Sequence, residues 1–144
     1  MLTFFHVQVG ASQSAAELST RAQTLLHDLS TLQFVILVKL HDDATAECRR
    51  LYAWTESRNP AGGAPVRSPV PPLEFGQVMA GGAANPAYWP PGAVAGRPFL
   101  PLPALAPAPG GIPAAVPPQN LDLGAVLQAL RAGGGAGWDH RPPP

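Results

Sequence analysis

Phe34-Val35-Ile36-Leu37-Val38-Lys39-Leu40 is the stretch that decides how this chain is read. No polar residue interrupts it before Lys39, so both alternating sets of side chains are apolar. That is the pattern of a short strand buried on two faces, not on one. Such a strand belongs in the middle of a sheet. The segments on either side of it must therefore supply its neighbours and the layers that cover it.

Upstream, residues 2–9 (LTFFHVQV) alternate, with Phe5, Val7 and Val9 on one face and Phe4, His6 and Gln8 on the other, which reads as a strand. Gly10-Ala11-Ser12 breaks it. Ser14 followed by Glu17 has the form of a capping box, in which each side chain satisfies a free backbone amide at a helix start. Leu18, Ala22, Leu25, Leu26, Leu29 and Leu32 then recur at helical spacing, with Glu17, Arg21, Thr24 and Asp28 opposite. A helix of roughly 17 residues is ~25 Å long. A strand of about seven residues at ~3.3 Å each spans nearly the same distance. Strand, helix and second strand thus close into a unit whose strands run parallel.

Downstream, residues 41–46 (HDDATA) form a polar break. Residues 50–55 (RLYAWT) alternate as the returning arm of a hairpin would. A helix over residues 44–57, capped by Asp43 with Cys48, Leu51 and Thr55 on one face, fits the same residues, and the pattern leaves both open. The expected fold is α/β: a small β-α-β-β unit over residues 1–58.

All 19 prolines and 14 of the 15 glycines stand at or after Pro60, so the chain divides near Asn59. From Pro60 onward 33 of 85 residues are Pro or Gly, above the ~25–30% typical of low-complexity disorder. The composition predicts a disordered Pro/Gly-rich linker over 59–119 and a disordered tail over 133–144. A core confined to the first part would be only marginally stable.

Neither part has a basic excess: the first carries five Lys/Arg against six Asp/Glu, the second four against three. That argues against nucleic acid as a partner. Cys48 is the single cysteine, which fits a reducing compartment and inert packing. His6, His27, His41 and His140 are scattered without metal-ligand spacing. The start, MLTFFHVQVG, lacks the charged region of a signal peptide, and no apolar run reaches the ~20 residues of a membrane span. A soluble intracellular protein is expected.

The order strand, "QVGASQS", leucine-rich helix, "FVILVKL", polar turn, "RRLYAWTES" resembles the second half of compact restriction-endonuclease-like domains of the PD-(D/E)XK superfamily. The resemblance spans residues 2–57. It implies chemistry in which an Asp and a Glu or Asp from adjacent strands hold Mg²⁺ while a Lys orients the attacking water. This sequence departs from that pattern residue by residue. Gln8 stands where the strand carboxylate belongs, and Gly10 where the lysine belongs. Arg21 matches the basic residue that some relatives place on the following helix, but a permanently charged guanidinium is a poor proton acceptor. Met1 opens directly on this strand, so the upstream Asp-bearing strand is missing from the sequence, as in a truncated reading frame. Lys39 reads as a solvated strand-end lysine. The resemblance therefore implies a degenerate nuclease domain with no confident catalytic residue, and with a place for Mg²⁺ only if the site were completed.

The alternative is an interaction protein acting through its tail. Pro69-Val70-Pro71-Pro72 and Pro98-Phe99-Leu100-Pro101 have the PxxP form of polyproline ligands, without a basic residue at the usual flanking spacing. Over 120–132, Leu123, Val126, Leu127 and Leu130 fall at i, i+3, i+4 and i+7, with Asn120 or Asp122 as cap and Gly133-Gly134-Gly135 as stop. So short a helix does not hold alone. This face either docks onto the uncovered side of the sheet, or folds on a partner, or forms only transiently.

Overall fold

The structure, a computed structural model, describes residues 5–10, 13–40, 50–59, 61–90, 92–106 and 115–133. Strand β1 (Phe5–Gly10) leads through helix α1 (Ala15–Asp28) to β2 (Phe34–Leu40), and β3 (Leu51–Ser57) follows. β1 and β2 are parallel, with Gln8 opposite Leu37 and Gly10 opposite Lys39. β2 and β3 are antiparallel, with Leu37 opposite Trp54 and Val35 opposite Glu56. The β-α-β-β order is therefore the one the periodicity predicts, and Leu51–Ser57 is a strand. Residues 41–49, including Cys48 and the start of the rival helix, lie outside the described residues, as do residues 2–4 of the expected first strand.

Both ends of α1 are satisfied by side chains. At its start Ser14 accepts from the Glu17 amide at 3.1 Å while Glu17 takes the Ser14 amide, so the capping box forms. At its end, Arg58 donates to the carbonyls of Leu26, Leu29 and Leu32. Leu26 lies in the last turn of α1, where carbonyls run out of helix partners, and the same guanidinium ties down the turn that follows.

β2 is buried along both faces for the reason its composition suggests. Val35 and Leu37 pack with Leu18, Ala22 and Leu26 of α1 and with Tyr52 and Trp54 of β3. Phe34, Ile36 and Val38 point the other way, into a second core. Lys39, expected to be solvated, is 5% exposed, and its Nζ donates to the Leu40 carbonyl at 3.0 Å. The aliphatic stem of a lysine can be covered in this way when its head finds a backbone acceptor.

The larger correction concerns the expected structureless linker. Val66–Glu74 forms a fourth strand, β4, antiparallel to β3, so the sheet order is β1-β2-β3-β4. Two further short strands, β5 (Phe99–Leu102) and β6 (Gln119–Asp122), pair antiparallel, and helix α2 (Leu123–Gly133) follows directly. Together with Phe75 and Trp89 they cover the face of the main sheet that α1 leaves open: Leu100, Leu123 and Leu127 are each fully buried. The expected marginal core is thus extended by residues as distant as Leu127. Of the expected disordered regions, residues 60, 91, 107–114 and 134–144 lie outside the described residues.

Proline is compatible with this because of where it falls. β4 is an edge strand, where a missing N–H costs no ladder bond. Thr55 pairs with Ser68 and Ala53 with Leu73, so Pro69-Val70-Pro71-Pro72 bulges out opposite Trp54 alone. Elsewhere side-chain amides replace the regular ladder. Asn85 donates to the Glu74 and Gly76 carbonyls and accepts from the Ala87 amide. Gln33 both donates to and accepts from the Ala106 backbone, at 3.0 and 2.8 Å.

Candidate functional site

The positions singled out by the nuclease resemblance do not converge. Gln8 lies on the α1 side of β1 and is 8% exposed, and neither its amide nitrogen nor its amide oxygen has a hydrogen-bond partner among the described residues. A buried, unpaired amide costs on the order of 1–3 kcal/mol, so the position is not optimised for stability. Gly10, two residues on, is also buried, and its side-chain space is already occupied. A Cβ built there would lie 2.7 and 2.9 Å from the two methyls of Leu18. A lysine at this position could not leave the sheet without displacing α1. Arg21 is exposed on α1, whose buried face is made by Leu18, Ser19, Ala22 and Leu26.

These residues do not fit a magnesium ion. Magnesium is usually held through one or two carboxylates, and β1 carries none, only the neutral amide of Gln8. Among the described residues no group of three or more His, Cys, Asp or Glu could hold a metal.

The chemistry the sequence reading missed lies at the other end of the same layer. Glu56 of β3 is 1% exposed. One of its oxygens accepts from the Ser19 hydroxyl, from Trp54 Nε1 at 3.1 Å and from Arg67 Nη2 at 3.4 Å. The other accepts from Gln23 Nε2 at 3.4 Å. Arg67 also donates to Ser19 Oγ at 2.6 Å and lies over the Trp54 ring. With four donors on its two oxygens, the carboxylate ties α1, β3 and β4 together. Alternation in Trp54-Thr55-Glu56 signals the shared face of Trp54 and Glu56. Nothing local points to Arg67, because its partnership exists only once β4 joins the sheet.

A surface cleft of about 500 Å³ opens beside this cluster, lined in part by Gln23, Leu26, His27, Arg58 and Asn59. In its lining, Arg58 donates to the Leu29 and Leu32 carbonyls and His27 lies 3.1 Å from Asp28 at the exposed helix end.

The face proposed for docking points inward. Leu123 and Leu127 are buried in the second core, and Val126 and Leu130 pack at its margin. Asp122 fixes the start of α2, accepting from the Ala125 amide at 3.2 Å. Arg97 pairs with Asp122 at 2.8 Å and stacks over Trp89 at 4.7 Å. Arg97 holds the Asp122 carboxyl below its ordinary pKa, chiefly through this hydrogen bond. The two PxxP segments belong to the fold but are not covered: one is the bulge of β4, with Val70 exposed, and in the other Leu100 is buried, Phe99 is half exposed and the Pro98 carbonyl accepts from the Leu123 amide. No described helix is long and apolar enough to cross a membrane.

No family model matches the chain, and neither a curated protein nor a solved structure matches it.

Proposed function

We propose that this chain is a catalytically inactive relative of restriction-endonuclease-like domains, in which the β-α-β-β scaffold remains and the metal site does not. The observation that carries the reading is the pair Gln8 and Gly10: a sealed neutral amide at the carboxylate position and a packed, side-chain-free lysine position. Two unit charges 4 Å apart interact by about 4 kcal/mol at an effective dielectric of 20. An amide in place of a carboxylate forgoes that attraction, and a divalent ion would feel the loss more strongly.

The test is cleavage of supercoiled plasmid, single-stranded DNA and RNA by the purified protein with Mg²⁺. No metal-dependent cleavage is expected. Gln8→Glu should not create any, because one carboxylate cannot make the site. Magnesium-dependent cleavage that is lost on changing Gln8 or Arg21 would overturn the proposal.

The second reading, an interaction protein, is favoured by exposed apolar side chains: Phe5, Val7 and Val9 of β1 are each about half exposed, and Val70 and Phe99 of the two PxxP segments are 75% and 48% exposed.

A further inference from the structure

The two edges of the main sheet are not alike. β4 carries Pro69, Pro71 and Pro72, with Arg67 and Glu74 near its ends. Prolines and charges of this kind block addition of another strand. β1 reads Phe-His-Val-Gln-Val-Gly, with no proline, lysine or acidic residue. Its outer edge offers the unpaired backbone groups of any edge strand. On the face away from α1, Phe5, Val7 and Val9 are 48%, 49% and 52% exposed. Phe5 stacks on Phe34 with ring centroids 5.6 Å apart, so this stripe continues the second core outward instead of standing apart from it. Among the described residues no strand pairs with the outer edge of β1; α1 packs mainly over β2 and β3, with Leu18 reaching Gly10, and the α2 layer covers the other face of β2 and β3.

We propose that β1 is a homodimerisation edge, pairing antiparallel with β1 of a second copy about a two-fold axis at Val7. Residues directly opposite in an antiparallel pair share a face. The axis therefore sets Val7 against the partner subunit's Val7 and Phe5 against the partner subunit's Val9, closing the apolar stripe on itself. On the helix side the same register sets Gln8 against the partner subunit's His6. Because β4 is blocked, a head-to-tail contact of β1 with β4 cannot form. The assembly closes as a dimer with an eight-stranded sheet instead of growing into a filament. A six-residue edge is smaller than the roughly 20–30 residues a side of a standard interface, so the dimer is a dissociable one in the micromolar range.

The proposal is independent of the inactive-nuclease reading, since sedimentation and cleavage can fail separately. Sedimentation equilibrium of the full chain should show a reversible monomer–dimer equilibrium. Val7→Lys and Val7→Glu, each setting like charges across the axis, should weaken it by more than about tenfold. An equimolar mixture of the two should restore it, because the axis then joins Lys to Glu. Both variants should keep the parent thermal transition to within a few degrees, as Val7 is half exposed. Val70→Lys, on the opposite edge and 75% exposed, should leave the dimer unchanged. A monomer at all accessible concentrations, open-ended oligomers, a dimer insensitive to Val7→Lys, or a mixture that fails to reassociate would each overturn the proposal.

Discussion

Replacing Gly10 by alanine adds a single methyl group at the place where the nuclease resemblance would put a lysine. Built on the existing backbone, that Cβ lies 2.7 and 2.9 Å from the Leu18 methyls and 3.1 Å from Leu18 Cγ. Carbon atoms rest in contact at about 3.5–4.0 Å, so a shift approaching 1 Å is required. Leu18 cannot swing into solvent, because it is fully buried in the cluster formed with Val35, Leu37 and Trp54. The cost should fall in the range of about 1–3 kcal/mol found for overpacked cores. In a domain of roughly 100 residues each kcal/mol lowers the melting temperature by about 4–8 °C. Circular dichroism melts and urea titrations of Gly10→Ala measure this loss, and Gly10→Lys should be worse. The decisive comparison is the double-mutant cycle with Leu18→Ala, which removes the atoms in conflict at a cost of its own of about 2–5 kcal/mol. In that background Gly10→Ala should be near neutral, giving a coupling of at least about 1 kcal/mol. An equal cost in both backgrounds, or no cost in the parent, would refute the claim that Leu18 fills the Gly10 position.

Glu56→Ala should destabilise the protein by several kcal/mol, at about 1–3 for each buried donor left without an acceptor. Arg67→Ala should cost only about 1–2, since Arg67 is 45% exposed and Glu56 keeps Ser19, Trp54 and Gln23; chemical denaturation distinguishes the two. Leu127→Ala, fully buried at the sheet face, should cost about 2–5 kcal/mol and shift the whole unfolding transition, whereas a helix outside the cooperative fold would leave it unmoved. Asp122 has a folded-state pKa below its ordinary 3.8, so its contribution is present above that value and is lost as pH falls through the folded-state value. Trp89 fluorescence, followed below pH 4, should report release of the Arg97–Asp122 contact, and Asp122→Asn should remove that dependence.

The first half of the fold is legible because each signal in it is local. The Ser14–Glu17 box, the leucine spacing of α1 and the two-faced run of β2 each settle an element without reference to the rest. β4 is not legible in this way. Its three prolines read as disorder unless it is known to be an edge, and being an edge is a property of the assembled sheet. The residues that complete the second core, Phe75, Trp89 and Leu100, stand in islands of one or two large apolar residues among Pro and Gly, with no period to reveal them. α2 shows its apolar stripe in the sequence, but what the stripe covers depends on the open face of a sheet formed some 90 residues earlier. At the candidate site, sequence alone identifies Gln8 and Gly10 as departures from the nuclease pattern. That Gln8 is buried without a partner among the described residues, and that Gly10 meets Leu18 of α1, follow only from the assembled structure.

The measurement that bears most directly on the proposal that β1 holds no metal is paramagnetic broadening of backbone amide resonances by Mn²⁺, which takes oxygen ligands as Mg²⁺ does. If β1 holds no metal, the amides of Val7, Gln8, Val9 and Lys39 should broaden no more than those of other buried residues of the sheet, such as Ile36 and Ala53. Selective broadening centred on Gln8 at stoichiometric Mn²⁺, abolished by Gln8→Ala, would contradict the account.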